Sequence, residues 1–218
     1  RSSAASDVYK RQVNRLFYNQ GGTWKAMRGV WSKVSGSWQK VWPPSGSLSQ
    51  AEPGTYLFTV PPGIFQLSVY MIGAGGGGGG STASEEPLTT GGGGGSGFVL
   101  DSTLNVNPGD QVYYTVGNGG AGGIVGGNGV DGDPTTCGTL SAAGGKGGTG
   151  TTGGDGTHPG SPGISIGEDQ EGSGGYAPGG AAVNGYGAGG TGGYYNEDQE
   201  QGYGGSAGQS GFIKITWG

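Results

Sequence analysis

One cysteine and one histidine are present in 218 residues. Cys137 therefore has no partner for a disulfide within the chain, and a lone thiol points to no redox compartment. Cys137 and His158 lie far apart in sequence, so no nucleophile–base pair is legible. Charged residues make up 11% of the chain and hydrophobic residues 31%. This fits neither an average globular protein nor a charged disordered one. No apolar run approaches the roughly 20 residues of a membrane-spanning helix. The longest candidate, residues 67–74, is strand-like, so no membrane insertion is expected. A strict Gly-X-Y period is also missing, which excludes a collagen triple helix.

What the chain has is glycine: 59 residues, 52 of them at or beyond Gly73. A glycine run offers no side-chain core, so it is either disordered or packed backbone against backbone. Ordering a glycine costs about 0.5–1 kcal/mol more than ordering an alanine, so a folded glycine-rich region must recover tens of kcal/mol. Polyproline-II geometry does this, because helices without side chains can lie in contact and exchange N–H···O and Cα–H···O bonds. The six consecutive glycines Gly75 to Gly80 are fed by a patterned strand. Patterned strands also frame the whole region. A flexible linker has no need of such framing, and a bundle of short polyglycine helices is expected.

The framing strands alternate with period two. Tyr56, Phe58 and Val60 share a face, as do Leu67, Val69 and Met71, then Val112, Tyr114 and Val116, and finally Ile213, Ile215 and Trp217. Pro61-Pro62-Gly63 and Pro108-Gly109-Asp110 are turn signals. The expected fold class is all-β: a β-sandwich or jelly-roll-like framework carrying packed polyproline-II-type glycine helices, with almost no α-helix.

Three domains are expected. Residues 1–12 include SSAASDVYKRQ, which looks like an in-frame translation of a sequencing adapter. They are set aside from the fold; a polar frayed tail has the same consequence. Residues 13–46 form a tryptophan-rich module and linker. This module holds Trp24, Trp31, Trp38 and Trp42, with five basic residues and no acid up to Trp42. Its repeat of about seven residues, with turns at Gly29 and Gly36, suits short strands. Thirty residues cannot enclose four indoles, so a partner or the next domain is expected to cover them. Residues 47–218 form the glycine-rich domain, with Pro43 to Ser47 as the connecting linker.

From Pro43 onward there are 14 acids and two bases, a net charge of −12, which speaks against nucleic-acid or membrane-surface binding by this part. Four stretches interrupt the glycine runs: 81–90, 131–143, 157–171 and 194–203. As loops of a lattice they would be displayed at its ends. Tyr176, Tyr186, Tyr194, Tyr195 and Tyr203 lie in or near the later ones. Tyrosine amid Gly, Ser and Asn suits adaptable recognition, which makes these five the candidate binding residues; shielding of the lattice is the alternative. Scattered Gly-x-Gly-x-x-Gly matches have no strand–helix context, and Gly145-Lys146-Gly147 lacks the hydroxyl of a phosphate loop. Residues 126–131 fit the start of a calcium nonapeptide, but Asp133 breaks its aliphatic position and no tandem copy follows. No catalytic constellation, metal site or cofactor site is read, and an enzyme is not expected.

The phrases YLFTVPPG from Tyr56, VYMIGAGGGGGG from Val69, VNPGDQVYYTVGNGG from Val106 and GSAGQSGFIKITW from Gly205 follow one another in this order. In them the chain resembles the glycine-rich domain of bacteriophage tail proteins. Residues 13–42 are similar to tryptophan-rich modules that precede such domains. The nearest likeness is to T-even-type tail-fibre adhesins with a polyglycine sandwich. That resemblance implies a virion protein at the fibre tip, docked on a tail-fibre protein through Trp24, Trp31, Trp38 and Trp42. It also implies a bacterial outer-surface receptor, protein or glycan, bound by displayed loops. A structural tail or decoration protein is the alternative reading. An ice-binding or other extracellular glycine-rich protein is a third, disfavoured by the irregular charged inserts.

Overall fold

The computed structural model describes residues 17–27, 29–82, 88–150, 152–161, 165–166, 179–196 and 199–218. Among these the regular structure is entirely β, with no α-helix. In chain order the strands are β1 (Phe17–Gln20), β2 (Thr23–Ala26), β3 (Val30–Val34), β4 (Ser37–Trp42), β5 (Gly46–Gln50) and β6 (Gly54–Thr59). There follow β7 (Gln66–Ile72), β8 (Leu88–Thr89), β9 (Val99–Asn105), β10 (Gln111–Val116) and β11 (Thr135–Cys137). The last are β12 (Leu140–Ala142), β13 (Ser165–Ile166), β14 (Tyr195–Asn196), β15 (Gln201–Gly202) and β16 (Phe212–Trp217).

Two four-stranded antiparallel sheets form the sandwich, in the orders β12-β11-β10-β6 and β5-β16-β7-β9. The alternation in sequence is what faces them together. Leu67, Val69 and Met71 of β7 are fully buried, with Ile213 and Ile215 of β16 beside them. Phe58, Val60, Val112, Tyr114 and Val116 come from the opposite sheet. Tyr56 stacks on Tyr114 with ring centroids 5.3 Å apart, and Phe58 lies 5.0 Å from Trp217. The expected β-sandwich framework is present. Its sheets reach further than expected. Gly46 and Ser47, read as linker, open β5 and pair with Trp217 and Thr216. The stretch 131–143, read as a displayed loop, instead folds back as the β11–β12 hairpin on the edge of a sheet.

Cys137 is fully buried in this core, and burial pushes its thiol up to about 11. Almost no thiolate exists there at neutral pH. The expected outcome is that a thiol-disulfide reagent leaves the native protein unlabelled and labels one equivalent on unfolding in denaturant. Rapid labelling of native protein would contradict the packing.

Residues 73–81 leave β7 and are enclosed by six other backbone segments. Gly73, Gly76 and Gly79 donate their N–H groups to the carbonyls of Phe98, Gly95 and Gly92. Ala74, Gly77 and Gly80 donate to Asp133, Val130 and Gly127, and Gly75, Gly78 and Ser81 donate to Gln209, Ser206 and Tyr203. Partner numbers fall as the central numbers rise, so these three neighbours run antiparallel. The carbonyls of Gly75, Gly78 and Ser81 accept from Gly120, Gly123 and Gly126. Those of Ala74 and Gly77 accept from Gly145 and Gly148, and those of Gly76 and Gly79 from Gly190 and Gly193. Here the numbers rise together, so these three run parallel. All these bonds span 2.6–3.1 Å. A three-residue step toward every neighbour is the signature of polyproline-II geometry. Residues 91–98 repeat the arrangement, stepping by three along residues 187–193, 143–149 and 158–161.

Room, not dihedral freedom, demands glycine in this lattice. None of Gly75 to Gly80 has a positive φ. A Cβ added at these positions would fall within 3.0 Å of the backbone of Ala188, Lys146, Ala121, Thr191, Thr149 and Ile124 in turn. The interior of this region is therefore made of peptide units that satisfy one another, each net bond contributing about 0.5–1.5 kcal/mol.

Candidate functional site

The lattice has two ends. At ~3.1 Å rise per residue, residues 73–81 span about 25 Å. The near end adjoins the sandwich, where Gly73, Phe98, Asp133 and Ala143 meet. The far end begins at Ser81. There the Ser81 carbonyl accepts from Gly126, Thr82 donates to the Thr89 carbonyl, and β13 pairs with β8 through Ser165 and Thr89. Residues 83–87, 162–164 and 167–178 lie outside the described residues. Of the segments flanking them, Thr82, β8 and β13 meet at this end and Ser161 lies close behind, accepting from Gly93, whereas Gly180 donates to Gly94 midway along the lattice. The 124–127 turn and the β14–β15 hairpin complete the far end.

The tyrosines divide between the two ends. Tyr194 and Tyr203 stand at the far end, their rings stacked at 4.4 Å with an angle of 4° between planes. The Tyr203 hydroxyl donates to Gln199 Oε1 at 2.7 Å, and its N–H donates to the Tyr194 carbonyl at 2.9 Å. Tyr195, the next residue, points the other way along β14 and is 5% exposed, so its ring anchors the hairpin and offers little contact area. Tyr186 is at the near end. It closes an Asn184-Gly185 turn in which both residues have positive φ, the type I′ pattern, and stacks on Phe212 at 4.3 Å. Tyr176 lies outside the described residues.

Ile124 and Val125, which sequence reading passed over, belong to the far end. Ile124 is 80% exposed and Val125 packs close to Gly202. A signal was available: two adjacent β-branched residues between glycine pairs cannot enter a lattice without room for side chains, so they must stand outside it.

The N-terminal module consists of two hairpins, β1–β2 and β3–β4. Trp24, Trp31 and Trp38 are largely exposed, whereas Trp42 is partly buried against Gly63. An isolated two-stranded hairpin is marginal in water, and these two leave three indoles uncovered by any described residue.

Charge chemistry is sparse. Lys146 pairs with Asp131 at 2.6 Å, and the Gly147 N–H donates to the same carboxylate at 2.8 Å. The Lys146 bond, then the Gly147 bond, hold the Asp131 carboxyl below its ordinary range. The pair's contribution is therefore present at neutral pH and is lost as pH falls from the ordinary carboxylate range through that lowered value. Both side chains are more than half exposed, so the contribution is small. Asp131, the candidate calcium residue, is thus engaged by Lys146. Among the described residues no group of three or more His, Cys, Asp or Glu is placed to hold a metal.

A model of the glycine-rich domain family matches residues 50–217. The chain belongs to that family. A search of curated proteins found no match.

Proposed function

We propose that the protein is a phage tail-fibre tip adhesin, carried on the virion, that binds a bacterial surface receptor through the far end of its glycine lattice. The observation that carries the reading is the meeting there of Thr82, β8 and β13 with exposed Ile124 and the Tyr194–Tyr203 stack. A backbone lattice is rigid and its ends are free to vary, so sequence change at the tips leaves the scaffold intact. On this reading Trp24, Trp31 and Trp38 dock on a tail-fibre protein, and Trp42 joins that module to the domain through its packing on Gly63. The stacked pair also suits the alternative, a structural tail or decoration protein whose tyrosines merely cap the lattice.

Labelled protein would be incubated with a panel of bacterial strains, as native protein and as a triple variant Ile124→Ser, Tyr194→Ala, Tyr203→Ala. Loss of the stack costs about 0.5–1.5 kcal/mol beyond the area that the two part-buried rings cover, and an unchanged melting transition checks that the variant stays folded. The adhesin reading expects the native protein to bind a subset of strains and the variant to bind none. Equal binding by both, or binding to no strain, would favour the capping role.

A further inference from the structure

On the outer face of the β5-β16-β7-β9 sheet, at the near end of the lattice, lies a groove of about 450 Å³. Ligand sites typically occupy roughly 300–1,000 Å³. Its base is a cross-strand row: Tyr70 of β7 is paired with Asp101 of β9 on one side and Lys214 of β16 on the other. Ser68 and Thr216, a neighbouring pair on the same strands, continue the floor. The Val183–Tyr186 turn forms a wall, with Tyr186 stacked on Phe212 and the Asn184 amide donating to the Tyr70 hydroxyl at 2.8 Å.

We propose that this groove is a saccharide site that takes a neutral hexopyranose unit, separate from the far-end loops and independent of the adhesin reading. A pyranose presents an apolar C–H face and a rim of hydroxyls that both donate and accept. The groove presents the complement. Three aromatic rings, Tyr70, Tyr186 and Phe212, line one part of it, and hydroxyl, amide, carboxylate and ammonium groups line the rest. Asp101 accepts from sugar hydroxyls and Lys214 donates to them, both as charge-assisted bonds. Strands on either side of β7 lie about 9.5 Å apart, so Asp101 and Lys214 do not neutralise each other. Among the described residues neither is in an ion pair. One acid opposite one base leaves the groove neutral overall, which disfavours an anionic sugar or a nucleotide.

The test is a solution NMR titration of the whole chain with the methyl glycosides of glucose, galactose and mannose, each to tens of millimolar. N-acetylneuraminic acid and adenosine monophosphate serve as charged comparators. At least one neutral glycoside is expected to give saturable shifts of the Tyr70, Tyr186 and Phe212 ring signals. Asp101→Asn and Lys214→Met, both at exposed strand positions, are each expected to weaken that binding about tenfold while leaving the melting curve in place. No shift with any neutral glycoside, binding by both variants as tight as by the native protein, shifts confined to far-end residues, or binding of the charged comparators alone would overturn the proposal. The far-end variant Ile124→Ser, Tyr194→Ala, Tyr203→Ala is expected to bind the glycoside normally, which separates this result from the cell-binding one.

Discussion

Gly77→Leu is expected to unfold the glycine-rich domain, while Gly150→Ala leaves its stability within about 1 kcal/mol of the native value. Gly77 donates to Val130 and accepts from Gly148, so its position is fixed from two sides. A Cβ there falls within 3.0 Å of the carbonyls of Ala121 and Gly120. Overpacking a core costs typically 1–3 kcal/mol when side chains can shift. Here only backbone surrounds the new atom, and moving one helix breaks three-residue ladders with its neighbours. A loss beyond about 4–5 kcal/mol follows, a large part of the 5–15 kcal/mol that holds a domain folded. Gly150 has no atom within 4 Å of an added Cβ and no positive φ. Cys137 labelling reads the outcome directly: the Leu variant exposes the thiol without denaturant and the Ala variant does not. A protected thiol and an unchanged melt in Gly77→Leu would mean that the glycine run carries no structural burden.

The same residues explain how far sequence reading reaches. The faces of β6, β7, β10 and β16 were legible because alternation records burial side chain by side chain, and each expected inward set is found in the core. That glycine runs would pack as helices was legible from composition and framing. Which run lies beside which was not. Register in a sheet is written in side chains, whereas Gly76 and Gly79 differ from Gly77 and Gly80 only in their distance from the chain's anchored ends. The partner segments are set by where the sandwich strands and turns place each run, which is information spread over the whole domain. The same cause hid the site. Tyr186 and Tyr203 read alike in sequence, yet the lattice holds them at opposite ends. Tyr70, Asp101 and Lys214 read only as the outward half of an alternation until antiparallel pairing set them in one row. Gly46 and Ser47 resembled linker because a small, polar pair carries no inward residue of its own; their pairing is fixed by Trp217, against which Gly46 lies too close to accept a Cβ.

Removal of residues 212–218 is expected to prevent folding of both the sandwich and the lattice, although it deletes only the last strand. β16 is interior to its sheet, with β5 on one side and β7 on the other. Without it β5 has no partner, and the face of β7 that carries Leu67, Val69 and Met71 loses Ile213 and Ile215, both fully buried. Truncating one such isoleucine to alanine costs about 2–5 kcal/mol, so losing both approaches the whole stability of a domain. The lattice follows, because the segment before β16 supplies the carbonyls of Gln209, Ser206 and Tyr203 to Gly75, Gly78 and Ser81. Once β16 no longer anchors that segment, one of the six neighbours of the central helix is free to leave. The graded form is Ile215→Ala, expected to lower stability by about 2–5 kcal/mol in a urea titration, with Cys137 labelling and limited proteolysis moving together. A truncated chain that still protected Cys137 would show that the β6–β10 sheet and the lattice hold without their closing strand. Protection of the far-end β14–β15 hairpin alone, with Cys137 exposed, would instead show that lattice and sandwich fold as separate cooperative units. The shared peptide bonds at Gly73, Ala74 and Gly75 argue for a single one, since the first turn of the central helix is bonded to Phe98, Asp133 and Gln209, each within a few residues of a sandwich strand.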